Sequence, residues 1–125
     1  MNLPLASPVA RTPVRSQQLV VPVAAIKRIH KALGRLCAIA LQNTGQARRA
    51  ADFLLAWHNA AENGAWDPVE LWSVDEEIAQ DMLLVLRLVL ESHRYPKDLG
   101  FGPEIDRIWR AWRHPGRPAA RQQEG

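Results

Sequence analysis

The sequence predicts an all-α protein: a small four-helix domain with one short extra helical turn and disordered termini. Three observations predict it. Apolar residues recur at steps of three and four along four stretches, the period of a helix face. The breaks between these stretches carry capping and turn residues where helices would start and stop. The 125 residues, 47% of them hydrophobic, suffice for one domain with one modest core. That domain is expected over residues 22–113. A proline-rich basic arm is expected at 1–21 and a polar tail at 114–125.

The arm holds Pro4, Pro8 and Pro13, with Pro22 just beyond. Proline at this spacing blocks both helix and strand pairing. The first helix is read over 22–42, where Val23, Ile26, Ile29, Leu33, Leu36 and Ala40 form the apolar face. Lys27, Lys31 and Arg35 stand four apart with Arg28 beside them, a basic stripe off that face. Gly34 costs about 1 kcal/mol against alanine inside a helix, which points to a close neighbour there. Asn43-Thr44-Gly45 has turn chemistry, and so short a break favours a helical hairpin. The second helix is read over 46–63, with Ala47, Ala50, Leu54, Trp57 and Ala61 as its stripe.

Residues 64–82 carry the densest signals, and the other helices are expected to pack on this stretch. Gly64 suits a helix C-terminus. Asp67-Pro68 reads as an N-cap followed by proline at the first helical position, opening one turn over 68–72. Trp66 and Trp72 flank that turn. A buried tryptophan removes about 150–250 Å² from water, so both are expected to plug the turn into the core. The sharper reading makes one of them an exposed anchor for a partner. Ser73 with Glu76 has capping-box spacing, placing the next helix start near Val74. Asp75, Glu76 and Glu77 suit the positive end of its dipole.

That central helix, expected over 74–93, is apolar nearly all round from Met82 onward. Neighbours on several sides, or a second subunit on one, would account for it. Residues 95–103 read as a loop in which Gly100 and Gly102 let the backbone tuck Phe101 inward. Pro103 opens the last helix, whose apolar face is Ile105, Ile108, Trp109 and Trp112.

The net charge of +3 conceals an asymmetry. Residues 1–51 hold eight basic residues and no acid, whereas 52–125 hold thirteen acids and eight basic residues. A basic half can reach for nucleic acid, or lie against the acidic half of its own chain or of a second copy. The longest apolar run, 82–90, is broken by Arg87, so no membrane partner is expected. The single Cys37 gives no sign of an oxidising compartment, and the cytoplasm is the expected location.

Catalytic motifs are missing from the sequence. Glu77 and Asp81, one turn apart, invite a divalent-metal nucleotide hydrolase of helical type. Only one such acidic helix exists, and capping explains most of its charge. No metal site, cofactor or catalytic residue is therefore assigned, and the protein is expected not to be an enzyme.

Over residues 51–113 the chain resembles a family of small bacterial proteins of unknown function, associated with integrative and conjugative elements and genomic islands of Proteobacteria. The residues that carry the resemblance are Trp57-His58-Asn59, Gly64, Asp67, Leu71-Trp72, Val74-Asp75, Ile78-Ala79, Asp81-Met82, Tyr95-Pro96, Gly100-Phe101-Gly102 and Trp112-Arg113. Where that pattern has a second glycine and a phenylalanine before the aspartate, this chain has Ala65-Trp66. The resemblance implies a mobile-element setting, with regulation, transfer or host interaction as roles. It carries no activity.

The expected function is that of a non-enzymatic binding or adaptor protein of a mobile element, acting on an unknown protein partner or on a second copy of itself. Trp66, Trp72, Asp75, Asp81, Tyr95, Phe101 and Trp112 are its candidate partner-binding or core residues. The alternative is a DNA-binding accessory factor using Lys27, Arg28, Lys31 and Arg35, helped by Arg107, Arg110 and Arg113 of the last helix.

Overall fold

A computed structural model of the chain describes residues 23–114. The expected arm over 1–21 and the tail from 115 onward lie outside the described residues. Four α-helices follow in order: α1 (Val23–Ala40), α2 (Gly45–Asn63), α3 (Glu76–Ser92) and α4 (Gly102–Trp112). Two 3-10 turns, Pro68–Ser73 and Pro96–Leu99, stand in the connections around α3. The described residues contain no strand.

The helix that the others share is α1, which packs on α2, α3 and α4. Residues 64–82 are not the hub that the sequence suggests. The reason is that α1 buries residues on a wide arc: Ile29, Ala32, Leu33, Leu36, Cys37 and Ala40 are all covered. Ile26 lies beyond the bundle's edge and stays exposed. A Cβ built on Gly34 would meet nothing within 4 Å, so this glycine admits no close neighbour.

The α1–α2 hairpin turns through 41–44. Thr44 caps α2, its hydroxyl accepting from the Ala47 N–H at 2.9 Å. Ala47, Ala50 and Ala51 are fully buried, and such small side chains let two helix backbones approach closely. Near its end α2 kinks at Asn59, whose backbone is extended (φ −167°, ψ 87°). Across the kink the buried Asn63 side-chain amide donates to the Leu55 carbonyl at 3.2 Å. The Asn59 carboxamide oxygen in turn accepts from the Glu62 N–H at 3.2 Å, capping the last turn. Gly64 follows at φ 97°, where glycine is favoured.

The start of α3 differs from the expected capping box. Ser73 ends the 3-10 turn, and Asp75 is the N-cap without a side-chain cap bond. Instead the Asp75 N–H donates to Gln46 Oε1 at 2.6 Å, and its carboxylate accepts from Gln46 Nε2 at 3.2 Å. A long-range partner on α2 has replaced the local one. The α3 helix runs antiparallel to α1: Arg35 meets Asp81, and Ile39, further along α1, and Gln42 just past its end line a groove with Asp75 and Ile78.

The second 3-10 turn falls where the sequence reads as loop. Pro96 presets its first residue, and the Asp98 carboxylate accepts from the Tyr95 N–H at 3.1 Å. Gly100 then takes a left-handed φ of 90°, and Phe101 turns inward against His30 of α1, ring centroids 5.1 Å apart. From there α4 runs parallel to α1 and ends with Trp112, buried, its indole N–H donating to the Ala40 carbonyl at 2.6 Å. Arg113 closes the bundle by donating to Asp52 Oδ1 at 2.6 Å and to the Asn63 carbonyl at 3.2 Å.

Two stability predictions follow from this packing. Trp112→Phe strands the Ala40 carbonyl at the end of α1 and should cost about 1–3 kcal/mol in urea unfolding; an unchanged midpoint would remove this bond from the account. Burial, with Glu104 adding and Arg107 opposing, pushes the Cys37 thiol from 9.0 up to about 12. The unfolded chain then ionises first, so this stability is intact below pH 9 and falls as pH climbs towards about 12. Urea midpoints should decline more steeply above pH 9 in the wild type than in Cys37→Ala.

Candidate functional site

The candidate site is the outer face of α3 together with the 3-10 turn that precedes it. Ile78, Met82 and Val85 of α3 are buried in the core. The opposite-leaning residues are not: Leu83 is 47% exposed, Leu86 37% and Leu90 53%. With half-buried Ala79 they stand at steps of four, three and four, one narrow stripe along the helix. The helix is apolar on more faces than its neighbours cover, because α3 packs chiefly on α1. Arg87 and Glu91 border the stripe, paired with each other at 2.8 Å.

The turn Pro68–Ser73 is pinned at several points. Asp67 caps it by accepting from the Val69 N–H at 3.1 Å. Arg49 Nε of α2 and Glu70 Oε1 lie 2.8 Å apart. Trp66 packs edge-on against Phe53, centroids 4.9 Å apart. Leu71 and Val74 lean on the core. Yet Trp72 is 84% exposed, with Val69 open as well. In a 3-10 turn positions three apart share a face, so these two form one apolar knob. The two tryptophans therefore part company: Trp66 plugs the turn into the core as expected, whereas Trp72 does not. The cause is spacing, because Leu71 occupies the inward position between them.

The other candidate residues sort by geometry. Phe101 and Trp112 are core. Tyr95 is 59% exposed beside the end of α3. Asp75 ties α3 to Gln46, as described above. Asp81 is buried, and both of its oxygens are taken by Arg35, Nε to Oδ2 at 2.9 Å and Nη2 to Oδ1 at 2.8 Å. Held by that carboxylate, the Arg35 guanidinium is more firmly protonated than usual. Arg35 thus leaves the basic stripe, and Asp81 leaves the acidic pair with Glu77. Among the described residues no three His, Cys, Asp or Glu side chains are grouped so as to hold a metal. Lys27, Arg28 and Lys31 are exposed and have no ion-pair partner among the described residues.

The surface of the described residues includes two open grooves. One, of about 720 Å³, lies between the end of α1 and the start of α3 and is lined by Arg35, Gln46, Asp75, Glu76, Glu77 and Asp81, among others. The other, of about 690 Å³, runs along the α2 kink past Trp57, His58, Asn59, Tyr95 and Lys97. Trp57 anchors that region, its indole donating to the Arg94 carbonyl at 3.0 Å. None of the described helices is long and apolar enough to cross a membrane.

Sequence reading left the over-apolar α3 with two explanations, cover on several sides or one face for a second subunit, because buried and exposed leucines read alike. The Arg49–Glu70 tie had no local signal, since its partners lie on separate elements.

The family described as a family of unknown function, DUF7673, matches residues 30–113, more than half of the chain, and the chain belongs to it. The match takes in most of α1 besides the residues that carried the resemblance. No curated protein and no solved structure matches.

Trp72→Ala should change unfolding free energy by less than about 0.5 kcal/mol, whereas Trp66→Ala should cost about 2–4 kcal/mol. Equal effects of the two in chemical denaturation would contradict this division of labour.

Proposed function

We propose that this member of the DUF7673 family is a non-catalytic binding protein that works by docking another protein chain on α3. The observation that carries the reading is the leucine stripe Leu83, Leu86 and Leu90, left open along one face of α3 while Ile78, Met82 and Val85 of the same helix are buried. Apolar stripes of this kind on a small domain mark interaction surfaces. The Trp72 knob, rigidly held and open to solvent, supplies an aromatic anchor of the sort that dominates binding energies. The resemblance to proteins of integrative and conjugative elements supports an accessory role in such an element, exercised in the cytoplasm.

The test separates surface from core. Replacing all three leucines by glutamine should leave unfolding free energy within about 1 kcal/mol when measured at sub-micromolar concentration. A loss of the size seen for core leucines, about 2–5 kcal/mol for each one, would make the stripe part of the fold and end the reading.

A second reading rests on Lys27, Arg28 and Lys31, exposed on α1 with no ion-pair partner among the described residues, and on Arg107 and Arg110, exposed on α4. These would contact phosphates of duplex DNA. Replacing Lys27, Arg28 and Lys31 by alanine should weaken duplex binding and lower the slope of log affinity against log salt by roughly two to three. An unchanged slope would remove this reading.

A further inference from the structure

We propose that the chain on the outer face of α3 is a second copy of this protein, with the two α3 helices antiparallel across a two-fold axis. The inference rests on reading that face as a docking surface and names its occupant.

The spacing of the stripe comes first. Ala79, Leu83, Leu86 and Leu90 alternate steps of four and three, the seam by which two helices interlock side chains along their length. A globular ligand or a flat surface requires no such repeat.

Charge then selects the orientation. The start of α3 is acidic, with Asp75, Glu76 and Glu77, whereas the residues just past its last turn, His93 and Arg94, are basic, and Glu91 of that turn is paired with Arg87. In an antiparallel pair with Leu83 of one copy level with Leu86 of the other, Ala79 comes level with Leu90. The same register sets Glu76 level with the C-cap His93, with Asp75 and Arg94 just beyond the helix ends. Both ends are then complementary, and the two helix dipoles oppose each other favourably. A parallel pair would set acid against acid at one end and base against base at the other. The helix is thus self-complementary about a two-fold axis, which is what an isologous interface requires.

Area is consistent with this occupant. The three leucines leave on the order of 250 Å² of apolar surface open. A stable interface covers about 800 Å² on each side, so the stripe is its centre and the ends must contribute. Trp72 before α3 and Tyr95 after it, both exposed, stand beyond the two ends of the stripe and are the aromatic area available there.

Sedimentation equilibrium of the full chain from about 1 to about 200 μM tests the proposal. The expected result is a reversible dimer that weakens with salt. Leu86→Glu should raise its dissociation constant about a hundredfold, since a carboxylate would be buried at the seam. Glu76→Lys and His93→Glu lie at the exposed ends, face each other in this register and spare the fold. Each alone should weaken the dimer about fivefold, and an equimolar mixture of the two should recover wild-type affinity by pairing unlike copies. A monomer throughout the range overturns the proposal, as does a dimer indifferent to Leu86→Glu. A mixture that associates no better than its components overturns the antiparallel arrangement. If the chain is monomeric while the triple glutamine variant keeps its stability, self-pairing fails and the docking reading stands.

Discussion

Everything in this bundle depends on how much of α3 a single helix can cover. Both α2 and α4 pack on α1 and on each other, whereas α3 lies chiefly against α1. One neighbour covers less than half of a helix's circumference. A helix with leucine or valine at most positions from residue 82 to 90 therefore keeps an apolar face in water. Removing that surface from water is worth roughly 25 cal/mol per Å², a standing driving force for association that the fold itself does not use. The bidentate Arg35–Asp81 pair fixes which face this is. It locks the register and rotation of α3 on α1, and a buried carboxylate would be costly if α3 rolled away from the arginine.

The charge asymmetry of the chain finds a partial answer in the same contacts. Arg35 of the basic half meets Asp81 of the acidic half, and Arg49 meets Glu70. Gln46 holds Asp75 by hydrogen bonds. The basic half thus lies in part against its own acidic half. What remains open is split by location: Lys27, Arg28 and Lys31 on α1, and Glu76 and Glu77 at the start of α3. With α3 antiparallel to α1, the open acids lie at the start of α3 and the open bases of α1 towards its other end.

Local chemistry was legible in the sequence wherever it was self-contained. The four helical periods, Asp67-Pro68 as a turn start, Gly64 as a helix end and Phe101 turned inward all rest on a few adjacent residues, and the structure has each of them. Features decided by a distant partner were not legible. Ser73 and Glu76 had capping-box spacing, but Gln46, 29 positions from Asp75, took over the backbone donor at the start of α3. Arg35 looked like one more member of a solvated stripe until α3 was laid beside it. Trp72 looked as much like core as Trp66, because burial depends on which side of a short turn meets α2. The kink at Asn59 had no proline or glycine to announce it; side-chain amides at Asn59 and Asn63 bond backbone groups on either side of it.

The central claim is that Leu83, Leu86 and Leu90 are surface in the single chain and interface in a larger assembly. Solvent paramagnetic relaxation of leucine methyls, measured by NMR over a range of protein concentrations, reads both states at once. The account predicts strong relaxation of these three methyl groups in dilute protein and protection that grows with concentration, while Leu33, Leu36, Leu54 and Leu55 stay protected throughout. Protection of all seven leucines at every dilution would place the stripe in the core and contradict the account.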